Sequence, residues 1–224
     1  MPAPLARGLI VSCQAEGDSP FNTPASIAAF ARAAEMGGAV AVRISGFENI
    51  RLVRESISLP IIGITKSEYL SGEILITGSL QDVEGILNAG ATLVALDATE
   101  RPRPGGITGI AMIGEVKKQF DVPLIADIST FEEGVEALEG GAEYAATTLS
   151  GYTASTGGAA AEEPDFKLIH ELAMQFPGRV VAEGRIWTPE QAGHALNLGA
   201  HAVVVGTAIT RPVEIVKRFV EALT

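Results

Sequence analysis

The sequence predicts an α/β fold, a single-domain (β/α)8 TIM barrel spanning residues 1–224, and three observations carry that expectation. Short β-branched or apolar runs alternate with amphipathic stretches from end to end, with no Ser/Pro-rich linker between them. Several of those runs are apolar on nearly every residue, as strands covered on both faces are in a parallel sheet. A glycine signal also recurs: Ala34-Glu-Met-Gly-Gly-Ala39, Leu87-Asn-Ala-Gly-Ala91, Leu138-Glu-Gly-Gly-Ala142 and Leu196-Asn-Leu-Gly-Ala200 each end a helical pattern and lead into a strand. Gly38, Gly90, Gly141 and Gly199 stand 52, 51 and 58 residues apart, about two βα units per interval. Four such modules make eight units. An open doubly wound sheet is the alternative, and the uniformity of the repeat to the end of the chain favours the closed barrel.

The first strand run, Leu9–Cys13, precedes a helical pattern at Ser26–Met36. Val40–Ile44 and Ile61–Thr65 follow as strands, then Gln81–Asn88 as a helix. Leu93–Asp97 leads to Ile110–Gln119, Leu124–Asp127 to Thr130–Leu138, and Tyr144–Thr147 to Phe166–Gln175. Val180–Glu183 precedes Pro189–Leu198, and Ala202–Gly206 precedes Val213–Leu223. Each helical stretch carries apolar residues at three- and four-residue spacing. The connection Leu149–Pro164, with Gly151, Gly157 and Gly158, is too long for an ordinary barrel loop and reads as a lid or a mobile loop.

With 224 residues, 47% of them hydrophobic, the chain fits one compact domain, and its mean hydropathy of +0.28 argues against disorder. A formal net charge of −11 repels phosphate backbones and anionic lipid, which argues against nucleic-acid and membrane partners. An anionic ligand must then be held by local groups. The lone Cys13 cannot form an intrachain disulfide, MPAPLARG lacks the apolar core of a signal peptide, and no apolar run reaches the ~18 residues of a spanning helix. A soluble, cytoplasmic protein is expected.

A barrel of this kind does its chemistry at the C-terminal ends of its strands. The polar residues there are Gln14 after strand one, Arg43 at two, Lys66 after three, Asp97 at four, Asp127 at five, Thr147, Thr148 and Ser150 after six, Glu183 and Arg185 at seven, and Gly206 and Thr207 after eight. Strands three and seven are opposite in a ring of eight, so Lys66 and Glu183 face each other across the mouth. That arrangement suits taking a proton from one face of a carbon and returning one to the other, with a neutral Lys66 as base and a protonated Glu183 as acid. Salt-bridged charges at strand ends would give the same residues. Gly184 and Gly206 end strands seven and eight, where backbone N–H groups can approach a phosphate, and Arg211 adds a fork of donors. His170, His194 and His201 lie away from that face without metal-ligand spacing, and Cys13 reads as a buried thiol. Asp97 could orient a loop as readily as touch a ligand, and Trp187 reads as rim packing.

The blocks Leu9-Ile-Val-Ser-Cys-Gln-Ala15, Pro60-Ile-Ile-Gly-Ile-Thr-Lys66, Ala95-Leu-Asp-Ala-Thr99, Ala126-Asp-Ile-Ser-Thr130, Thr147-Thr-Leu-Ser-Gly-Tyr-Thr153, Ala182-Glu-Gly-Arg-Ile186 and Val205-Gly-Thr-Ala-Ile-Thr-Arg-Pro212 resemble the N-acylglucosamine-6-phosphate 2-epimerases. The resemblance runs in the family's order across nearly the whole chain. It implies conversion of N-acetylmannosamine 6-phosphate to N-acetylglucosamine 6-phosphate in sialic acid catabolism, without metal or organic cofactor. It also implies Lys66 as base and Glu183 as acid, with Gln14, Arg43 and Asp127 on the sugar. Arg211 would hold the phosphate with the loops of Gly184-Arg185 and Gly206-Thr207. Departures are Ser67, where the family often has a second basic residue, Thr207 in place of a common Gly, and a small, apolar Gly157–Glu163. A flavin-binding barrel oxidoreductase, using the same glycine loops, and a non-catalytic sugar-phosphate sensor are the other readings. The apolar C-terminal helix Val213–Leu223 suggests a homodimer.

Overall fold

The alternation of side chains along each strand decides what lies inside the barrel and what meets the helices. The computed structural model describes residues 5–68, 74–157 and 163–224. Its eight parallel strands are β1 (Gly8–Cys13), β2 (Ala41–Ser45), β3 (Ile61–Ile64), β4 (Leu93–Asp97), β5 (Leu124–Asp127), β6 (Tyr144–Ala146), β7 (Val180–Glu183) and β8 (Ala202–Val205). Each pairs with its sequence neighbours, and β1 closes on β8. The closed barrel excludes the open doubly wound sheet. One phase of each strand, including Ile10, Ala41, Ile62, Leu93, Ala95, Ile125, Ala146, Val181 and Val204, fills the interior. The other phase, including Val11, Val42, Val94, Leu96, Leu124, Ala126, Ala182 and Val203, packs outward on the helices.

The helices are α1 (Pro24–Met36), α2 (Phe47–Ser56), α3 (Leu80–Asn88), α4 (Gly109–Gln119), α5 (Phe131–Glu139), α6 (Phe166–Gln175), α7 (Pro189–Asn197), the short α8 (Thr207–Thr210) and α9 (Pro212–Glu221). Side-chain caps start most of them. Thr23, Ser79, Thr108, Thr130, Asp165 and Thr188 accept a backbone N–H from the first turn of α1, α3, α4, α5, α6 and α7. Besides the one-turn α8, α2 and a short ribbon are absent from the elements that the sequence predicts. α2 starts at Gly46, which offers no side-chain cap, and buries only Ile50 and Val53. A two-stranded antiparallel ribbon, Lys66–Glu68 with Ile74–Ile76, follows β3, and its strands are too short to show a period.

The glycine repeat has a structural basis. Gly38, Gly90, Gly141 and Gly199, just past the ends of α1, α3, α5 and α7, adopt φ of 84°, 103°, 108° and 104°, the left-handed conformation that stops a helix and that L side chains resist. The intervening helices end differently. α2 and α4 terminate at extended Ile57 and Phe120, and the chain enters β3 and β5 through Pro60 and Pro123, whose carbonyls accept the N–H groups of Val42 and Val94 at 3.1 Å each. The repeat therefore spans two βα units because the two units end their helices by different means.

Gly63, in the outward phase of β3, sits where α2 and α3 come closest to the sheet. A Cβ there would lie 2.3 Å from Ile86 Cγ2 and 2.7 Å from Ala91 Cβ. Overpacking of this kind costs about 1–3 kcal/mol. Gly63→Ala is therefore expected to lower Tm by roughly 2–12 °C in a thermal melt followed by circular dichroism; an unchanged Tm would mean that the α2–α3 contact yields freely.

Candidate active site

The inward phase that fills the barrel with Ile, Val and Ala continues past the apolar layers, and there it becomes polar. Ala41 is followed two residues later by Arg43, Ile64 by Lys66, Ala95 by Asp97, Ile125 by Asp127, Ala146 by Thr148, Val181 by Glu183 and Val204 by Gly206. One face of seven of the eight strands thus supplies a chemical layer at their C-terminal ends.

Arg43 is its centre. Only 2% exposed, it reaches from β2 across the barrel and donates to both oxygens of Asp127, at 3.0 and 2.6 Å, while its Nη1 lies 3.2 Å from Glu183 Oε2. Burial opposes the guanidinium charge, but Asp127 and Glu183 outweigh it and raise the Arg43 pKa above its ordinary value. For Glu183 burial is the largest influence and pushes the carboxyl above the usual carboxylate range. Arg43 pulls it down, Asp127 adds a like-charge push upward, and Thr148 and Lys66 pull down. Thr148 Oγ1 lies 2.7 Å from Asp127 Oδ1 and 3.1 Å from Glu183 Oε2. A hydroxyl has one proton to give, so the two carboxyl groups share or compete for it unless one of them carries a proton of its own. Thr147 fixes the backbone beneath: its hydroxyl donates to the Glu183 carbonyl at 2.9 Å and lies 3.1 Å from the Glu183 N–H.

A cavity of about 380 Å³ opens above this layer, lined by Gln14, Arg43, Lys66, Thr148, Tyr152, Glu183, Gly184, Arg185, Trp187, Gly206, Thr207 and Arg211 together with Ile64, Ile76, Ile186 and Val204. Lys66 and Glu183 follow strands four places apart in either direction around the ring, so they approach the cavity from opposite sides. Gly184 and Arg185 leave β7 with φ of 110° and 56°, turning the chain sharply over the cavity. At Gly206 a Cβ would lie 3.1 Å from Gln14 Nε2 and 3.2 Å from Ser12 Cβ, so glycine lets the end of β8 pass close to Ser12 and Gln14. Arg211 Nη2 donates to Gln14 Oε1 at 2.7 Å and lies 2.9 Å from Glu16 Oε2; its Nε is buried with no hydrogen-bond partner among the described residues.

Of the residues singled out in the sequence, Gln14, Arg43, Lys66, Glu183, Gly184, Arg185, Gly206, Thr207 and Arg211 meet at one cavity. Asp127 does not line it: fully buried, it lies behind Arg43 and Thr148 and grips both. Asp97 is also turned away, accepting from Thr99 N and Oγ1 at 2.9 and 2.7 Å and pairing with Arg101. Arg185 holds the long loop: its Nη1 donates to Ser150 O at 2.6 Å, its Nε to Glu163 O at 2.7 Å, and it lies 5.5 Å from the Tyr152 ring centroid. Residues 158–162 of the stretch read as a lid lie outside the described residues. Trp187 lies at the rim, under the Arg218 guanidinium at 4.4 Å. The histidines are engaged elsewhere: His201 stacks on Tyr144, His194 meets the Phe166 ring edge, and His170 contacts the Leu198 carbonyl. Burial pushes the Cys13 thiol up to about 12, away from nucleophile chemistry. Sequence reasoning missed Glu16, in the β1–α1 loop, which pairs with Lys66 and Arg211 together. Loop residues show no period, so no pattern marked it.

A family model described as "NanE: Putative N-acetylmannosamine-6-phosphate epimerase" matches residues 27–224. A relative from Caldanaerobacter subterraneus subsp. tengcongensis, named "Putative N-acetylmannosamine-6-phosphate 2-epimerase", is 48% identical across 96% of this chain and 91% of its own. One of the same name from Cutibacterium acnes is 44% identical across 99% of this chain and 96% of its own. The solved structure of the N-acetylmannosamine-6-phosphate 2-epimerase from Clostridium perfringens superposes with a TM-score of 0.89 over 98% of this chain and 94% of that one, at 41% identity. On its barrel, its sequence and the span of the match, the chain belongs to the N-acetylmannosamine-6-phosphate epimerase family.

Proposed function

We propose that this chain interconverts N-acetylmannosamine 6-phosphate and N-acetylglucosamine 6-phosphate by removing and replacing the proton at C2, in the cytoplasmic breakdown of sialic acid. The observation that carries this reading is the pair Lys66 and Glu183, set on opposite strands around one cavity with an environment that favours the protonated form of Glu183. In the open-chain sugar, C2 lies next to the C1 aldehyde. A neutral Lys66 takes the C2 proton, the electron pair passes onto the C1 carbonyl oxygen, and the resulting enolate meets the Arg43 charge. Glu183 then gives its proton to the other face of C2 and the centre inverts. Gln14 contacts the sugar, Asp127 holds Arg43, and the phosphate sits between Arg211 and the loops of Gly184-Arg185 and Gly206-Thr207. Arg211 Nε, buried and without a hydrogen-bond partner among the described residues, supports that placement. The relatives bear epimerase names, which give neither the flavin reading nor the sensor reading support.

Before the chemical step Lys66 is neutral and Glu183 protonated; afterwards Lys66 carries the proton and Glu183 does not. The two forms hold the same number of protons, so the pH profile of kcat should be bell-shaped, its acid limb reporting gain of one proton by the pair and its alkaline limb loss of one. Raising Glu183 increases the share of the productive form within that bell. Lys66→Ala and Glu183→Gln should each lower kcat by on the order of 10²–10⁴-fold. Proton NMR in D2O should find deuterium at C2 of the product formed by the unaltered enzyme. Product without deuterium at C2, together with near-normal turnover by Lys66→Ala, would overturn the scheme.

A homodimer is the assembly proposed. α9 carries Val213, Val216, Phe219 and Val220 along one stripe, yet no residue of it is buried, and Phe219 is 70% exposed. With Trp187, Ala208 and Ile215 it borders a groove of about 380 Å³. An amphipathic helix is stabilised by covering its apolar face, and a two-fold pairing of identical faces does so. Light scattering should give twice 23.3 kDa, and Phe219→Glu should reduce it to 23.3 kDa. A mass of 23.3 kDa for the unaltered chain would refute the dimer.

A further inference from the structure

Glu16 lies where no catalytic scheme requires a carboxylate. It comes from the β1–α1 loop and bridges two cations from distant parts of the chain: Oε1 pairs with Lys66 Nζ, and Oε2 is 2.9 Å from Arg211 Nη2. These are the groups assigned above to the C2 proton and to the phosphate. About half of the Glu16 side chain is exposed, so it can leave both partners for water at small cost. Its successor Gly17, at φ 56°, turns the backbone sharply, and the loop closes on itself through Ser19 N to Glu16 O at 3.2 Å and Asn22 Nδ2 to Gly17 O at 3.1 Å. The loop thus carries its own frame, and the Glu16 side chain alone can swing.

We propose that Glu16 is a specificity-determining residue, an internal anion that occupies the Lys66–Arg211 pair in the free enzyme and yields only to the doubly charged phosphate of the substrate. This rests on Arg211 as the phosphate anchor. The two cations carry two positive charges and Glu16 one negative, so the occupied site keeps a residual attraction. A phosphomonoester brings nearly two negative charges and three acceptor oxygens, enough to displace a singly charged carboxylate, and it also reaches Arg211 Nε, which has no hydrogen-bond partner among the described residues. A neutral sugar or a monoanion lacks that advantage. Displacement releases the Lys66 ammonium from its carboxylate partner at the same time; it then gives one proton to solvent and becomes the neutral base. Because the competent form is only part of the free population, apparent affinity is reduced by that fraction.

Calorimetric titration with inorganic phosphate tests this on the full-length unaltered protein, Glu16→Gln, Arg211→Ala and the double variant. Glu16→Gln should bind phosphate about three- to ten-fold more tightly and lower the KM for N-acetylmannosamine 6-phosphate more than it changes kcat. Glu16→Asp, too short to span both cations, should fall between. Arg211→Ala should weaken phosphate binding at least about tenfold and abolish the effect of Glu16→Gln. Unchanged or weaker binding by Glu16→Gln, with Arg211→Ala weakened as expected, would overturn the competition while leaving the phosphate anchor in place. Normal phosphate binding by Arg211→Ala would remove both the anchor and this proposal, and C2 exchange in D2O would still decide the epimerase reading.

Discussion

One buried guanidinium holds three strand ends together. Arg43 is removed from water inside the barrel, where an unpaired charge would cost several kcal/mol, so its position requires carboxylates around it. It has two, from β5 and β7, and two carboxylates against one cation leave an excess negative charge in a poorly solvated place. Asp127 takes both arms of the fork and is the better paired. Glu183 has one longer contact, a shared hydroxyl and a face on the cavity, so the proton that relieves the excess belongs with Glu183. The raised carboxyl of Glu183 is therefore a product of charge balance in the top layer of the barrel, and Asp127 contributes to it without touching the cavity.

The same layer holds a second charged group that does different work. Asp97 on β4 faces inward in the same phase as Asp127 and pairs with it in register, yet it spends its oxygens on Thr99 and Arg101 and on shaping the loop that follows. Glu133 acts similarly one connection later, accepting from the backbone N–H groups of Glu100, Ser129 and Thr130 while burial raises its pKa. An inward phase at a strand end therefore places a residue in the chemical layer without deciding whether it serves the ligand or the loops. The neighbours settle that, and they come from other parts of the chain.

This division explains what could be read in advance. All eight barrel strands were legible, with ends agreeing to within a residue, because buried parallel strands are continuous apolar runs and their ends are marked by the first polar residue. The glycine repeat was legible because a left-handed residue is a local demand. α2 was not: its start lacks a capping side chain and its apolar stripe is narrow. The ribbon after β3 was hidden for a similar reason, although the position of Lys66 two residues beyond Ile64 already placed it in the inward phase. The opposition of Lys66 and Glu183 followed from strand count alone. The supporting contacts of Asp127, Thr148, Arg185 and Glu16 are tertiary facts, set by side chains tens to nearly two hundred residues away, and nothing local announces them.

Exposure increases across the site in the order that the chemistry needs. The Asp127 side chain is fully enclosed, that of Glu183 is 11% exposed, and those of Arg211, Lys66 and Glu16 are 27%, 33% and 49% exposed. At the deep end Asp127 is held by both arms of Arg43 and by Thr148 and cannot shift without leaving a buried charge uncompensated, so it fixes the geometry at the base of the cavity. Groups at the shallow end are ion-paired to one another in partial contact with water, where rearrangement costs little. A ligand entering from the mouth meets exchangeable partners first and the enclosed Arg43–Glu183 pair last. The barrel separates two kinds of contact along its axis: enclosed, multiply held charges at the strand ends, and partly hydrated, replaceable ion pairs at the mouth.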